Sequence, residues 1–533
     1  MTHNVNSRPS PHGGTGLFSV CKIAPGELVV DIPEPLVVVP DDGHLKECCS
    51  RCMVWKPEDG VFSRWMLDPY RDGQLLSFCT GCRVVKYCSK DCQRVDWKLV
   101  HKLECSMFKT LSPRILPGSV RATIRMLFTG PGDMWDQIRR LESHEAGFKR
   151  KSERWQMVNL MAKGAHGYSR TMLSEEEVRG LYCRLMINSI TLVTPTFDPV
   201  GIAFDPVASL INHSCDPNSV MTFDGRSLSV RALREIAKDE ELTISYIDNT
   251  TPTHRRQDEL IERYFFKCAC TRCTSYAESQ DPREAFACPS PSCDSWFSGE
   301  IADGGDDTCK KCGVTMPPQF NTPGLLAMED QGWAVVNGTP TLPGDKSSNL
   351  INALKTLYML KVWPLQHQPL PALHQELIQN VYIPTSAWPQ ALVHSLTLYL
   401  LVDPVFYPQR YHPVRIVHAF TLASLFLQAS GDPVSLQQAF PRAKKLELDY
   451  GKIVWGLLCE IVAHVGVSHG SKSSFAETVR RKMGEVENDL RGSETTRKWV
   501  GMRVGEIGLE EELGKVRCLI DGLFMDLKSN GVP

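Results

Sequence analysis

Cysteine placement limits the architectures open to this chain. Twenty cysteines stand in 533 residues, and most lie in the first three fifths at pair spacings of two, three or four residues. Such spacing is typical of metal ligands, whereas disulfide frameworks belong mainly to small secreted domains. The pattern therefore indicates a reducing compartment. Five cysteines without close partners are expected to be small buried hydrophobic residues: Cys21, Cys48, Cys183, Cys459 and Cys518.

Length and composition indicate a multidomain globular protein. A chain of 533 residues predicts roughly three or four domains. With 42% hydrophobic and 23% charged residues and a net charge of -2, the chain is neither disordered nor a general polyanion binder. No apolar run comes close to the roughly 18 residues of a membrane span, and no secretory signal is visible. We expect a monomer without membrane contact.

The first cysteine block supplies eight soft metal ligands. They are Cys49, Cys52, Cys79, Cys82, Cys88, Cys92, His101 and Cys105. Eight such ligands suit two tetrahedral zinc sites, and two zinc ions can fold a segment that has little core of its own. Redox chemistry of the Cys-x-x-Cys pairs is the alternative interpretation.

Cations recur every four residues in and after this block. They are Lys86, Lys90, Arg94, Lys98 and Lys102. This spacing predicts several cations along one helical face. A solvated face is the simplest interpretation, and a docking surface for protein or nucleic acid is the alternative.

The stretch INHSCDPNS, residues 211–219, places many polar groups directly behind an apolar run. A turn, a metal site and a cofactor site all remain open for it. Further along, Cys268, Cys270 and Cys273 leave a tetrahedral zinc one ligand short. Cys215 is the natural fourth ligand. Such a site has no open position for water, so its zinc would organise the chain and take no part in the chemistry.

Two further cysteine pairs precede a region that is expected to be helical. Cys288, Cys293, Cys309 and Cys312 have the paired form of a small zinc ribbon. Beyond Pro323, apolar periodicity broken by Pro and Gly clusters predicts an antiparallel helical array. Helices are also expected in TIRMLF, WDQIRRLESH, WQMVNLMAK and SEEEVRGLYCRL, and over 253–266 with Thr253 as a cap.

The first block resembles the MYND zinc finger through its C-x2-C, C-x5-C-x3-C and H-x3-C spacing. The resemblance implies interleaved ligation. One zinc would be held by Cys49, Cys52, Cys88 and Cys92, and the other by Cys79, Cys82, His101 and Cys105. The gap from Cys52 to Cys79 is longer than the family usually has. An inserted loop explains it, with Cys48 in place of Cys49 as a minor alternative.

A second resemblance is carried by NHSCDPN, DEELTISY, the CxCxxC cluster and the early GGTGLFSVCKIAPGELVVDIP. Together they resemble the two halves of a SET methyltransferase with its post-SET zinc. A MYND block between the halves is the order of the SET-and-MYND (SMYD) lysine methyltransferases. The implied fold is α+β and multidomain, with a β-rich SET domain split by the finger and a helical insert. A tetratricopeptide-like all-α lobe would follow, although no clean repeat of that kind is found.

The resemblance and the patterns above divide the chain into seven expected segments. They are 10–45 and 183–250 for the two SET parts, 46–108 for the finger with its long loop, 109–182 for the helical insert, 251–280 for the post-SET zinc cluster, 281–320 for the zinc ribbon, and 321–533 for the helical lobe.

The resemblance also implies S-adenosylmethionine-dependent methyl transfer to protein lysines, histone or non-histone. Its catalytic residues would be Tyr246, Tyr264 and Phe266. Its cofactor-binding residues would be Gly14, Thr15, Gly16, Asn188, Ser209, Asn212 and His213, together with those three aromatic residues. Thr15 stands where the family commonly has a basic residue, so this contact departs from the family's pattern.

The implied partner is an extended lysine-containing segment of another protein, with a proline-rich protein or DNA as a further contact through the finger. The alternative function is a non-catalytic, zinc-dependent adaptor or transcriptional regulator that acts through the finger. The expected location is the nucleus, the cytoplasm or both.

Overall fold

The structure is a computed structural model. It describes residues 4–11, 13–56, 75–129, 133–275, 281–288, 290, 292–293, 295–298, 308–309, 311–315, 322–338, 345–492, 497–502 and 504–529. Most of the predicted loop between Cys52 and Cys79 lies outside these residues.

Residue contacts divide the chain into two compact units. The first comprises Met1–Ile247, Gln257–Ala269 and Ser471–Phe475, and the second comprises Asp248–Arg256, Cys270–Gly470 and Ala476–Pro533. This division into two units is coarser than the seven segments expected from the sequence, and those segments stay a prediction.

The first unit contains the strands before and after the finger. These are Val5–Pro9, Thr15–Ser19, Leu28–Ile32, Val37–Pro40, Ser77–Phe78, Lys86–Tyr87, Ile190–Val193, Pro199–Phe204, Asn212–His213, Ser219–Asp224, Ser227–Ala232 and Thr243–Ile244. Two sheets have three strands each, and both join one strand from the first 40 residues to two strands from residues 190–232. Sequence-distant halves therefore fold as one β domain.

Apolar side chains explain why these halves associate. Leu28–Ile32 pairs antiparallel with Ser227–Ala232, and Val29, Leu228 and Val230 are fully buried in one core cluster. Each buried aliphatic side chain of this size contributes roughly 1.5–3 kcal/mol relative to an exposed one. The β-branched residues that favour strands thus also supply the core.

Helices form the finger's outer segment and the insert. They are Lys90–Asp96, a π-helical turn at Trp97–His101, Lys102–Leu111, Gly118–Phe128, Asp133–Arg140, Glu145–Lys149, Ser152–Ser169 and Glu175–Asn188. The first begins at Lys90 because the Ser89 hydroxyl accepts a hydrogen bond from the Cys92 backbone N–H. The last begins with a capping box formed by Ser174 and Glu177. The helices predicted for the insert are confirmed.

Two local predictions were wrong in detail. The helix predicted over 253–266 ends at Tyr264, because Phe265 has a left-handed backbone with φ of 63°. Thr253 is the first residue of this helix and not the residue before it, and its hydroxyl accepts a hydrogen bond from the Arg256 guanidinium. Lys86 is buried in a strand under the ring of Phe78, so it does not belong to the helical cation row.

The second unit is mainly helical, as expected. Its strands are Ala285–Ala287 and Trp296–Ser298, and its helices are Thr271–Thr274, Thr322–Val336, Lys346–Leu360, Leu370–Leu377, Trp388–Thr397, Asp403–Phe406, Pro413–Gly431, Pro433–Ala439, Tyr450–Val465 and Leu509–Ser529, with most of Ser474–Arg491. Tyr450–Gly470 is long and apolar enough to cross a membrane, and 72% of its apolar window is buried inside the protein. Burial of this extent is what a core helix of a helical lobe shows.

Candidate active site and zinc centres

Two groups of soft ligands assemble in the finger. They are Cys49, Cys52, Cys88 and Cys92, and Cys79, Cys82, His101 and Cys105, with the ligand atoms of each group within 4.8 Å of one another. Neighbouring sulfur ligands of a tetrahedral zinc, with bonds of about 2.3 Å, lie about 3.8 Å apart. The Cys52–Cys88 and Cys88–Cys92 sulfur distances are 3.6 Å and 3.5 Å. Both groups therefore fit zinc, and each brings together the four residues of the interleaved assignment.

Cys48 does not replace Cys49. Cys48 is buried outside both ligand groups, whereas Cys49 lies in the first group. The two neighbours differ because Cys48 pairs across a β-bridge with Trp55 while Cys49 bridges to Lys86, next to Cys88.

Glu104 and Arg125 support the second finger group and were missed by sequence reasoning. Glu104 lies 3.5 Å from Nδ1 of the ligand His101, and Arg125 donates to both carboxylate oxygens of Glu104 at 2.6 and 2.9 Å. Burial alone would raise the pKa of Glu104, but Arg125 and His101 lower it to about 2. A carboxylate beside a ligating histidine fixes the ring and its tautomer. The sequence shows a Glu three residues after the ligand His101, but it does not show that Arg125 lies beside that Glu.

Two further groups complete the zinc-type sites of the described chain. Cys215, Cys268, Cys270 and Cys273 form one, and Cys288, Cys293, Cys309 and Cys312 the other. The Cys215–Cys268 distance is 4.0 Å, and the Cys288–Cys312 and Cys293–Cys309 distances are 3.5 and 3.8 Å. These values also suit tetrahedral zinc. Cys215 thus has the distant partners that were predicted for it.

The polar stretch before Cys215 is a short strand. Asn212–His213 pairs in parallel with Thr243–Ile244, and the Ser214 N–H extends the ladder to the Ile244 carbonyl at 2.9 Å. The strand predicted to run through ELTISY is therefore only two residues long, but it ends beside Tyr246. Pairing of these strands brings the NHSC stretch and the tyrosine together.

Glu241 organises the start of this strand and was not predicted. Its carboxylate accepts hydrogen bonds from the Asn212 side-chain amide at 2.7 Å and from the Ser10 hydroxyl at 3.0 Å. The Asn212 amide also lies 3.5 Å from the Thr15 carbonyl. Asn212 thus links Thr15, another predicted binding residue, to a carboxylate of the DEEL segment.

Gly16 lies directly against the Glu241 carboxylate, so a side chain at position 16 would displace that carboxylate. A Cβ atom there would lie 2.1 Å from Glu241 Oε1 and 3.0 Å from Asn212 Nδ2. Gly14 has φ of 68°, and an added Cβ would meet no heavy atom within 4 Å. The turn therefore packs against other protein atoms at Gly16 but not at Gly14. The backbone at Gly14 is accessible to a ligand.

Asn188 and Ser209 are joined to each other. The Ser209 hydroxyl donates to the Asn188 carbonyl at 3.0 Å. The Asn188 amide donates to the carbonyls of Arg184 and Glu142 at 2.8 and 2.9 Å, so its nitrogen has protein partners. The side-chain oxygen is the group that Asn188 can offer to a ligand.

Four rings cluster after the polar stretch. The centroid distances are 5.3 Å for His213–Tyr246, 5.9 Å for His213–Phe266 and 5.1 Å for Tyr246–Tyr264. The Tyr246 hydroxyl donates to the Ile211 carbonyl at 2.7 Å, and the Tyr264 hydroxyl donates to the Tyr246 carbonyl at 3.2 Å. These hydrogen bonds fix both phenols.

The same cluster orients His213. Its Nδ1 accepts from the Tyr246 backbone N–H at 3.0 Å, and its Nε2 lies 3.2 Å from Cys215 Sγ. Burial raises the pKa of Tyr246 well above its usual value, and Tyr264 and Glu241 raise it further. Burial also raises the pKa of Tyr264. Both phenols are therefore neutral hydrogen-bond donors near neutral pH.

Phe265 separates the two flanking rings and was missed by sequence reasoning. Its left-handed backbone turns its ring away from those of Tyr264 and Phe266 and into the insert, where it meets Phe148 at 5.0 Å and the Arg154 guanidinium at 5.1 Å. Arg154 also donates to the Glu262 carbonyl. The insert thereby holds the middle of the YFF triplet.

Gly147 makes room for that ring. A Cβ at Gly147 would lie 2.8 Å from Phe265 Cδ1. We expect Gly147→Ala to destabilise the protein by about 1–3 kcal/mol, since overpacking a buried contact forces neighbouring side chains from their rotamers. Urea-induced unfolding of the full chain measures this change.

Gly167→Ala is the matched control for that experiment. Gly167 is also helical, and an added Cβ there meets no heavy atom within 4 Å. This variant should be as stable as wild type or gain roughly 0.5–1 kcal/mol from helix propensity. Equal unfolding curves for the two variants would contradict the packing described for Phe265.

Comparisons with known proteins agree with this site. A family model described as "SET domain" matches residues 14–247. The SET domain and MYND-type zinc finger protein 6 of Schizosaccharomyces pombe is 33% identical over 268 residues, which are 49% of this chain and 50% of that protein. Histone-lysine N-methyltransferase SMYD3 of Mus musculus is 30% identical over 279 residues, covering 50% of this chain and 61% of that protein.

A third relative matches over a longer stretch. Histone-lysine N-methyltransferase ASHR1 of Arabidopsis thaliana is 26% identical over 429 residues, covering 76% of this chain and 82% of that protein. The chain thus spans about half of the length of the first relative, about three fifths of the second and about four fifths of the third. Residues 14–247 thus match the SET-domain family, and the chain is similar to SET-and-MYND proteins over about half of its length.

Proposed function

We propose that this chain is an S-adenosylmethionine-dependent protein-lysine N-methyltransferase. The observation that carries the proposal is the ring cluster of Tyr246, Tyr264, Phe266 and His213, which follows directly on the Asn212 strand. Two of the relatives above are named histone-lysine N-methyltransferases, which supports the same reaction here.

The polar side of the site suits the methyl donor. The open backbone at Gly14 and the amide-bearing Asn188 and Asn212 can meet the charged amino-acid end and the nucleoside of S-adenosylmethionine. With Thr15, Gly16, Ser209 and His213, these are the residues that would hold it. Residue 15 in the early glycine stretch is Thr, which can offer a ligand hydrogen bonds but no positive charge.

When bound, S-adenosylmethionine would supply a methyl group on a sulfonium, and an unprotonated lysine amine would attack that methyl carbon in line, with S-adenosylhomocysteine as the leaving group. The new bond is nitrogen to carbon, the bond that breaks is carbon to sulfur, and the proton leaves the amine for solvent. Most of the rate enhancement for such a step comes from alignment of the reacting groups.

The aromatic residues supply the alignment and the low polarity. Desolvation lowers the pKa of a lysine amine, so rings around the amine favour its neutral, nucleophilic form. Tyr246 lies in a fixed position because its hydroxyl donates to the Ile211 carbonyl. Tyr264 is fixed in turn by its hydrogen bond to the Tyr246 carbonyl. These residues hold the substrate and exclude water.

Transfer of label from tritiated S-adenosylmethionine to lysines of a cell extract tests the proposal. We expect the full-length chain to label lysine, and Asn212→Ala to raise the KM for the methyl donor about tenfold, since a hydrogen bond is worth roughly 0.5–1.5 kcal/mol and its orphaned partner costs more. Asn159→Ala is the control, because Asn159 bonds only within its own helix in the described structure.

The adaptor function makes the opposite prediction. An adaptor would act without the methyl donor, so Cys79→Ala would abolish its biological activity while Asn212→Ala would not. Absence of lysine labelling by the wild-type chain would sink the methyltransferase proposal. We further propose the nucleus, the cytoplasm or both as its location, supported by thiol ligand groups that need a reducing compartment.

A further inference from the structure

The finger carries a row of exposed apolar side chains. Val95, Leu99 and Leu103 have 38%, 63% and 52% of their surface exposed. They stand four residues apart on the segment that runs from Lys90 through the π-helical turn to Leu111. Single exposed apolar residues are ordinary, but an aligned set marks an interaction surface.

The π-helical turn aligns this row. In a regular α-helix, residues four apart drift by about 40° around the axis at each step. A π-helical turn is wider, so over Trp97–His101 the drift runs the other way. Val95, Leu99 and Leu103 therefore stay close to a straight line along the segment. We call these three residues the apolar row.

A row of cations borders the apolar row. Lys90, Arg94, Lys98 and Lys102 are exposed, and the last three each immediately precede a residue of the apolar row. Arg94 forms an ion pair with Asp91 at 2.9 Å, whereas Lys98 and Lys102 have no ion-pair partner among the residues that the structure describes. We call these four residues the basic row. The prediction of cations along one helical face is thus confirmed without Lys86.

The opposite face of the segment is fixed by the metal ligands. Cys92, His101 and Cys105 project from it into the two finger groups, and His101 and Glu104 are fully buried. A surface that is already rigid loses little conformational entropy when a partner binds. The two rows are therefore presented in a preformed arrangement.

We propose that this face of the finger binds an acidic amphipathic helix of another protein. The partner helix would cover Val95, Leu99 and Leu103 with its own apolar face, and its Asp or Glu residues would meet the basic row. Charge complementarity selects an acidic partner. An amphipathic helix is favoured because its apolar side chains at i, i+4 and i+8 match the spacing of the apolar row.

Nucleic acid fits this face less well. Phosphates would use the cations but leave three aliphatic side chains uncovered, since contacts to phosphate and sugar are mainly polar. The two classes of partner differ in what they require from Leu99 and Leu103, so mutation of those residues separates them.

A designed peptide is the probe. It is a fluorescent helix of roughly 18 residues, long enough to be partly helical in water, with Leu at every fourth position and Glu beside each Leu. We expect it to bind the full-length, zinc-loaded chain, as measured by fluorescence anisotropy. Leu99→Ser with Leu103→Ser should weaken binding about tenfold or more, as loss of central apolar contacts does at interfaces.

Charge reversal provides the second arm. Lys98→Glu with Lys102→Glu should weaken binding of the Glu peptide by about tenfold and restore binding of the same peptide with Lys in place of Glu. Met157→Ser with Leu160→Ser is the control, since both residues are exposed apolar positions on another helix, and it should bind as wild type does. Unchanged zinc content in every variant shows that the finger remains folded.

Three results would overturn the proposal. They are failure of the wild-type chain to bind the Glu peptide, equal binding by the wild type and the leucine variant, and preferential binding of duplex DNA that depends on Lys98 and Lys102 but not on Leu99 and Leu103. Because the readout is binding of a peptide without methyl donor, the outcome is independent of whether the chain is a methyltransferase.

Discussion

Tyr246→Phe should lower the turnover of lysine methylation about a hundredfold while binding of the methyl donor stays within roughly threefold of wild type. Loss of one positioned hydroxyl at a reacting centre typically costs factors of this size. The phenol is neutral, is fixed by the Ile211 carbonyl and lies in the ring cluster. Its removal should act on kcat, because the methyl donor keeps its contacts with the Asn212 strand.

Single-turnover kinetics with labelled donor measures this effect, and calorimetric titration with the donor measures binding. Tyr399→Phe is a suitable control, since it removes another buried hydroxyl, which lies 3.5 Å from Glu460 in the helical lobe. A Tyr246→Phe protein with wild-type turnover would exclude the Tyr246 hydroxyl from the reaction.

Cys215→Ser should remove about one zinc equivalent and lower methylation about tenfold or more. A serine hydroxyl is not deprotonated at neutral pH and so is a poor replacement for a thiolate ligand. Cys215 lies 4.0 Å from Cys268, which follows Tyr264 and Phe266 in the chain. Cys215 also touches His213. Loss of this metal should loosen the rings without removing a group that touches the substrate.

Zinc content by mass spectrometry and the kinetics of the same preparation check the prediction together. Cys183→Ser is the control, because Cys183 is also fully buried but belongs to none of the ligand groups in the described chain. Full zinc content with unchanged kinetics in Cys215→Ser would refute the supporting role assigned to this cysteine.

Ligand groups were predictable because their signal is local. Spacing alone predicts a metal site at Cys288, Cys293, Cys309 and Cys312, and the same is true of the cysteine pairs of the finger. Assignment of Cys215 to the later cysteines depended on ligand count, since tetrahedral zinc needs a fourth ligand. Helices of the insert were also predictable, because the Ser174 capping box and apolar periodicity are written in consecutive residues.

Apart from the metal ligands, side-chain contacts between distant segments could not be read from the sequence. Glu241 was one of several acidic residues until Gly16 and Asn212 were placed beside it, and Glu104 gained its meaning from Arg125. Lys86 fitted the four-residue spacing of its neighbours but was buried by strand pairing. The left-handed backbone at Phe265 has no signal in its own residue type, since aromatic residues rarely adopt it. It depends on the space left at Gly147.

Phe265 ties the main chain between Tyr264 and Phe266 to the insert, because its ring touches Phe148 and Arg154. Under the proposed function, substitutions at Phe148 or Arg154 would therefore act on the neighbouring rings through the main chain. We expect natural variation or laboratory selection confined to the insert to retune which lysine sequences are accepted, and how many methyl groups are added, while Tyr264 and Phe266 are kept.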